Sequence, residues 1–226
     1  MFPIIVAVIY GVAAAFVSTL MVHITNKRLS VCQSDDIEKL NAKPYTRGSL
    51  FWIVLTAIIG VSVVSGYVIA TKAVSYVAII ELSISYFAVL AAAIIDYKTK
   101  TIPNIIPILL VLGRIVIFIY ELVFVNSAIS FFISSLVGAL LCFLLLIIAN
   151  RISKGGIGGG DIKLLSSIGF VCGIYVVISS MLLALVSCIV VSGMLLALKK
   201  CSTKDNVPFG PFIYVGYLIM CLLTLY

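Results

Sequence analysis

The chain has 226 residues, of which 63% are hydrophobic and 10% are charged, and its mean hydropathy is +1.31. About a quarter of the residues of a soluble domain are charged, so this composition excludes a water-soluble protein. The net charge of +7 does not indicate nucleic-acid binding, because the Lys and Arg residues fall in short loops between apolar runs. We therefore expect an integral membrane protein that contacts the lipid bilayer and binds no nucleic acid.

Apolar runs follow one another along the whole chain, and runs of roughly 20 residues can cross a hydrocarbon core about 30 Å thick as helices. They predict an all-α, polytopic membrane protein in which residues 1–226 form a single transmembrane domain. A β-barrel is excluded, because its strands would alternate polar and apolar residues. The runs extend over Pro3 to Thr25, Leu50 to Ala70, Val74 to Ile95, Ile105 to Phe124, Ala128 to Ala149, Leu164 to Leu198 and Phe209 to Tyr226.

The sixth run, Leu164 to Leu198, is too long for one crossing, since a continuous helix of that length would extend roughly 50 Å. We predict a short helix after Asp161, a break between Gly169 and Gly173, and then a full crossing. This division gives about eight hydrophobic helical segments.

The positive charges predict the topology of these segments. Thirteen of the fifteen Lys and Arg residues lie in four basic loops, and Lys72 is the cation of the loops between them. With two passages inside the sixth run, the positive-inside rule places all four basic loops in the cytoplasm and both termini outside. The first run has no basic region before it, which indicates a retained helix and not a cleaved signal peptide. The basic loops are Lys27 to Arg47, Lys98 to Lys100, Arg151 to Lys163 and Lys199 to Lys204.

The six cysteines include no CxxC pair, and four of the six lie inside apolar runs. We expect buried thiols, with neither a disulfide framework nor a zinc site. The largest loop, residues 26–49, is predicted to be cytoplasmic and holds Cys32 as its single cysteine. His23, alone in the first run, has no partner pattern for a catalytic triad or a metal site and is interpreted as structural.

Several ionisable residues lie in or beside the apolar runs, where a charge is costly and is a candidate for function. Glu81 and Glu121 have no motif around them and are interpreted as structural. Arg114, inside the fourth run, can snorkel, pair with a carboxylate or serve a substrate path, and the structural interpretation is favoured. Asp96 and Asp161 have a more informative context.

Asp96 ends the third run, and Pro103 is predicted to open the next helix, where its missing N–H costs nothing. Asp161 follows the stretch KGGIGGGD, whose glycines allow another chain to approach closely. Taken alone, Asp161 could simply cap a helix after a flexible loop. The predicted topology, however, places both aspartates at the same depth on the same membrane face, which favours a functional pair.

A pair of neighbouring carboxylates tends to share one proton, because two like charges at close range do not both form readily. Aspartic peptidases use such a pair. One carboxylate takes a proton from a bound water, and the other, protonated, polarises the scissile carbonyl. The chemistry requires no metal or other cofactor and no serine or cysteine nucleophile.

Three stretches of the chain resemble the type IV prepilin peptidases, also called prepilin leader peptidases, within the GxGD class of intramembrane aspartic proteases. They are IIDYKTKTIPN around Asp96, GIGGGDIKLLSSIGF around Asp161 and VPFGPF at Val207 to Phe212. GxGD alone is a weak signal. GxGDxK after a D(x)6PN element and before PFGPF, in a multispanning protein, is a strong one.

The resemblance implies that Asp96 and Asp161 are the catalytic pair of an endopeptidase of the bacterial plasma membrane. Family members remove a short basic leader, typically after a glycine, from prepilins or pseudopilins at the cytoplasmic membrane face. The resemblance also implies supporting positions in the matching motifs, namely Gly158, Gly160, Lys163, Pro103 and Asn104.

The chain departs from the family in its first cytoplasmic loop. Many members carry an insert there with two CxxC pairs, associated with zinc and with N-methylation of the newly exposed residue. Because this loop holds Cys32 alone, we expect peptidase activity without the zinc site and without N-methyltransferase activity.

Three other functions remain open at this point. A presenilin-like or signal-peptide-peptidase-like protease shares GxGD but cuts helices within the bilayer. A transporter could use Asp96, Asp161 and Arg114 along an ion or substrate path, with the glycine stretch as a broken helix. A non-catalytic membrane assembly protein would tolerate changes at both aspartates.

Overall fold

The computed structural model describes residues 1–31, 49–73, 75–125, 128–198 and 207–223, and all regular elements within these ranges are α-helices. Six of them are long and apolar enough to cross a membrane, and the last is a shorter apolar helix. The prediction of an all-α, polytopic membrane protein is confirmed. The helices are α1 (Phe2–Val31), α2 (Ser49–Lys72), α3 (Tyr76–Thr99), α4 (Ile105–Phe124), α5 (Ala128–Ile152), α6 (Gly159–Ala197) and α7 (Gly210–Leu223).

Several helices extend beyond the apolar runs that predict them. α1 ends at Val31 and not at Thr25, and α3 continues past Ile95 to Thr99. Hydropathy marks the part of a helix that fits the hydrocarbon core, whereas the helix itself continues into the polar region. The predicted loops fall mainly in 32–48 and 199–206, outside the described residues, and Cys32 lies there too.

α6 is broken at Gly173, which has φ 82° and ψ 177° inside an otherwise helical stretch. This left-handed φ is readily adopted by glycine. The arm before the break starts beside the aspartates and ends far from them. Its Cys172 Sγ lies 3.7 Å from the carbonyl oxygen of Glu81, a residue about 22 Å along α3 from Asp96 at 1.5 Å per residue.

The arm after the break returns toward the aspartates. Ser180 packs against Gly216 of α7, and Gly216 lies about 9 Å along α7 from Gly210, whose N–H contacts Asp96. Had α6 continued straight, Ser180 would lie about 30 Å from that end of the bundle. The two arms therefore form a helical hairpin. The break predicted between Gly169 and Gly173 is confirmed, and counting both arms the described chain has eight helical segments.

Glycines bring the backbones of α5, α6 and α7 together. A Cβ added at Gly138 of α5 would lie 2.6 Å from the backbone nitrogen of Ile174, and one at Gly169 would lie 2.9 Å from the backbone of Gly138. At Gly216 of α7, an added Cβ would meet the backbone of Ala184. Small residues at such positions allow membrane helices to pack closely, because their interaction depends on van der Waals contact.

α3 is the most enclosed of the candidate spans, and its polar side chains are paired with neighbouring helices. The hydroxyl of Tyr86 lies 2.9 Å from that of Ser62 in α2 and 2.8 Å from that of Tyr214 in α7. These hydroxyls need protein partners, because the bilayer core contains no water that could hydrogen-bond to them. The expectation of buried thiols is confirmed for Cys142, Cys172 and Cys221. Cys188 is half-buried and meets it in part.

Candidate active site

Asp96 lies in the last turn of α3 and is buried, with 4% of its surface exposed. The helix ends at Lys100, which adopts the left-handed conformation (φ 50°) and donates its N–H to the carbonyl of Asp96 at 2.8 Å. This cap turns the chain sharply into the loop that leads to α4. Asp96 is thus held by a helix on one side and by a tight turn on the other.

The N-terminus of α7 covers the carboxylate of Asp96. The N–H of Gly210 donates to Asp96 Oδ2 at 2.8 Å. The first N–H groups of a helix lack intrahelical partners and lie at the positive end of its dipole, so they stabilise a carboxylate. A Cβ at position 210 would lie 2.8 Å from the Cβ of Asp96, so this approach requires glycine.

Asp161 lies in the first turn of α6 and is half-buried. Its N–H donates to the carbonyl of Gly158 at 3.1 Å, and a Cβ at Gly158 would lie 2.7 Å from Asp161 Oδ2. The other oxygen, Oδ1, is buried and has no hydrogen-bond partner among the described residues. One carboxylate oxygen therefore lies beside Gly158, and the other is buried without a hydrogen-bond partner in the described chain.

The loop between α3 and α4 lies against the start of α6. A Cβ at Gly160 would lie 3.0 Å from the Cβ of Ile102, and Lys163 Nζ donates to Asn104 Oδ1 at 3.1 Å. Together with the bond from Gly210 to Asp96, these contacts bring all three motif-bearing stretches to one end of the bundle.

The two carboxylates are close enough for the charge of Asp96 to act on Asp161. They come from different helices and are fixed differently, since Asp96 accepts a backbone hydrogen bond and Asp161 Oδ1 accepts none in the described chain. This arrangement can hold one carboxylate ionised and the other protonated.

One predicted position needs correction. Pro103 does not open α4, which begins at Ile105 with Asn104 at the N-cap. Instead, the carbonyl of Pro103 accepts the N–H of Ile106 at 3.2 Å, so the proline precedes the helix. A proline has no N–H to contribute to the first turn and is equally compatible with this outer position.

Gly210 is the site residue that reasoning from the sequence missed. The motif PFGPF marks the stretch, and the glycine between two prolines at a helix start is a signal of special backbone geometry. The partner of its N–H lies more than a hundred positions earlier in the chain, and no local pattern identifies it.

Three consecutive glycines before Asp161 offer a matched test of the site. We expect Gly158→Ala to lower catalytic activity by roughly tenfold or more, because the added methyl group displaces Asp161 Oδ2 and a misplaced catalytic group costs up to about a hundredfold. Gly160→Ala should cost less, since Ile102 can shift by a few tenths of an ångström. Gly159→Ala is the control, because no atom lies within 4 Å of an added Cβ. Equal activity of all three variants, compared as kcat at equal protein level, would contradict this geometry.

Residues 83–193 match the family model of the type IV leader peptidases, and this segment contains both Asp96 and Asp161. The match covers just under half of the chain, and over this segment the chain is similar to the type IV leader peptidase family. One curated relative in this family is the prepilin leader peptidase/N-methyltransferase of Bacillus subtilis (strain 168), to which the chain is 30% identical over 86 residues. That alignment covers 38% of this chain and 35% of the relative, so it spans about a third of the relative's length. No solved structure matches the chain significantly.

Proposed function

We propose that this protein is an aspartic endopeptidase that removes the short basic leader of type IV prepilins or pseudopilins. The observation that carries the proposal is the convergence of Asp96 and Asp161, from two helices, at one end of a membrane bundle. The similarity of residues 83–193 to the type IV leader peptidase family supports the activity and the substrate class.

The two aspartates take different roles in the proposed reaction. Asp96, which accepts the N–H of Gly210 at the start of α7, is the ionised member and takes a proton from the attacking water. Asp161, whose buried Oδ1 lacks a partner in the described chain, is the protonated member and donates to the scissile carbonyl oxygen. As the C–N bond breaks, the proton held by Asp96 passes to the leaving amine. A hydroxyl of the tetrahedral intermediate returns its proton to Asp161 as the carbonyl re-forms, so the pair regains its starting state.

The charge distribution supports cleavage on the cytoplasmic side. Lys98, Lys100, Arg151 and Lys154 flank the site at the ends of α3 and α5, and basic residues favour the cytoplasmic side of a membrane protein. The site then faces the compartment in which the basic leader of a newly made prepilin lies. Both termini of the chain would lie outside under this orientation.

The entrance to the site suits an extended peptide. Gly158 and Gly159 are exposed beside Asp161, and backbone without side chains lets a substrate strand approach closely. The absence of CxxC pairs from the whole sequence supports a peptidase that leaves the new N-terminus unmethylated.

The competing functions receive less support from the geometry. An intramembrane protease of the presenilin type needs its carboxylates deeper in the bilayer, whereas here they lie in the last turn of α3 and the first turn of α6. A transport path through Asp96, Asp161 and Arg114 is disfavoured, because Arg114 pairs with Glu81, which lies about 22 Å along α3 from Asp96.

The test is cleavage of a purified prepilin by the wild-type protein in lipid nanodiscs, followed by mass spectrometry. We expect one cut after the leader, unaffected by EDTA or by thiol and serine reagents, and no mass increase of 14 Da per methyl group when S-adenosylmethionine is present. A substrate in which tryptophan replaces the glycine before the scissile bond serves as the control. Intact prepilin after prolonged incubation, or ion flux that depends on both aspartates without any peptide, would contradict the proposal.

A further inference from the structure

The half of the bundle away from the aspartates contains a cavity of about 450 Å³. It lies between the start of α3, the second half of α4, the first turns of α5 and the break in α6. Its walls are partly apolar, from residues such as Val77, Phe131 and Val171. Its polar lining consists of Ser75, Glu81, Arg114, Glu121, Ser134 and Ser135.

A cluster of three charged residues lines this cavity, and two of the three, Arg114 and Glu121, are buried. Arg114 is 1% exposed, and its Nη1 donates to Glu81 Oε1. Its Nη2 lies 3.1 Å from Oε2 of Glu121, which is 4% exposed. The interaction with Glu81 joins α4 to α3, whereas that with Glu121 lies within α4. The structural interpretation of these residues therefore accounts for part of their role.

The cluster leaves hydrogen-bonding capacity unused. Arg114 Nε, a donor, has no hydrogen-bond partner among the described residues, and Glu121 Oε2 lies near Nη2 without forming a hydrogen bond to it. An unpaired buried polar atom is destabilising, and more so when it is charged. A molecule in the cavity that accepts from Nε and donates to Oε2 would satisfy both atoms.

The charges of the cluster do not balance. Two carboxylates face one guanidinium, and the described residues that line the cavity include no other Lys, Arg or His. One negative charge is therefore in excess in a site with little water, where an uncompensated charge is expensive. Either a proton on one carboxylate or a bound cation must compensate it.

We propose that this cavity binds a small primary ammonium that also carries an oxygen acceptor, the chemistry of an amino alcohol or of an ethanolamine headgroup. The ammonium donates to Glu121 Oε2 and to the serine hydroxyls, and the oxygen accepts from Arg114 Nε. Cavities of about 300–1,000 Å³ with apolar walls and a few polar groups are typical small-molecule sites. The inference does not depend on the peptidase activity, which takes place at the other end of the bundle.

The first experiment varies the ligand and leaves the protein unchanged. Wild-type protein in phosphatidylcholine nanodiscs is titrated with 2-aminoethanol, and binding is followed by saturation-transfer NMR. Choline, which has a cation but no N–H donors, and ethylene glycol, which has no cation, are expected to bind at least about tenfold more weakly, since one charged hydrogen bond is worth that much. Equal binding of all three compounds would overturn the proposal.

The second experiment varies the protein. Glu121→Gln removes the surplus charge and keeps the shape, so 2-aminoethanol should bind about tenfold or more weakly than to wild type. Ser187→Ala, whose hydroxyl bonds to the carbonyl of Leu183 at 2.7 Å, is the control and should bind as wild type does. Unchanged binding of 2-aminoethanol by Glu121→Gln would show that the ammonium does not bind at this carboxylate and would overturn the proposal.

A third arm distinguishes the two sources of the ligand. In nanodiscs that contain phosphatidylethanolamine, loss of 2-aminoethanol binding through competition would identify a lipid headgroup as the occupant. Undiminished binding in those nanodiscs would identify a soluble amino alcohol. Absence of saturable binding in either lipid would contradict the site.

Discussion

Replacing either aspartate with asparagine, as Asp96→Asn or Asp161→Asn, is expected to lower leader cleavage by on the order of 10⁴-fold. Asn at position 96 cannot take a proton from water, and Asn at position 161 cannot donate a proton to the scissile carbonyl oxygen. Both substitutions preserve the size of the side chain, so membrane insertion and thermal stability should remain close to those of wild type. The cleavage rate is measured in nanodiscs at saturating prepilin.

The matched control for this prediction is Asp205→Asn. Asp205 lies in the loop before α7 and is interpreted from the sequence as a solubilising residue, although residues 199–206 fall outside the described chain. The Asp205→Asn variant carries the same chemical change as the other two variants, and we expect it to cleave prepilin at the wild-type rate. Retention of full activity in Asp96→Asn or Asp161→Asn would rule out the proposed catalytic pair.

Gly210→Ala is expected to lower cleavage by about a hundredfold, because the added methyl group would lie 2.8 Å from the Cβ of Asp96 and must displace the carboxylate. Gly210→Pro should cost about a further tenfold, since it also removes the N–H that bonds to Asp96 Oδ2. Proline is compatible with the first turn of a helix, so the second loss reports on the missing donor.

The control for Gly210 is Gly193→Ala on α6, where an added Cβ meets no atom within 4 Å. Its cleavage rate should equal that of wild type. The comparison uses kcat and KM together, because displacement of Asp96 should lower kcat with little change in KM. A wild-type rate in both Gly210→Ala and Gly210→Pro would show that the contact between Gly210 and Asp96 contributes nothing to catalysis.

Most of the fold was predictable. The lengths of the apolar runs predict the membrane helices, and the positions of Lys and Arg predict how the helices are oriented across the membrane. The break in α6 follows from the same reasoning, since Leu164 to Leu198 exceeds the bilayer and Gly173 is the residue that tolerates φ 82°. The helix ends were not predictable from hydropathy, as α1 shows by continuing to Val31.

The predicted topology placed both aspartates at one end of the bundle. It did not predict which groups contact them. Asp96 meets Gly210 across 114 positions of sequence, and Gly160 meets Ile102 through a loop whose path depends on the Lys100 cap. Such contacts arise from the tertiary packing of several helices, which a periodic pattern does not encode.

The role of Arg114 illustrates the same limit. Arg114 lies inside an apolar run, Glu121 lies in the same run, and Glu81 lies in the run before it. The sequence left several explanations open, whereas the structure joins the three residues in one cluster. The cavity beside this cluster depends on the hairpin of α6, whose Gly173 lines it.

The claim that Asp96 and Asp161 act as one catalytic unit is tested most directly by the double variant Asp96→Asn/Asp161→Asn. Residues that act together in one step show strongly non-additive losses. We predict that the double variant cleaves prepilin no more slowly than the slower of the two single variants. A double loss equal to the product of the two single losses would show that the aspartates act independently and would contradict the shared-proton mechanism.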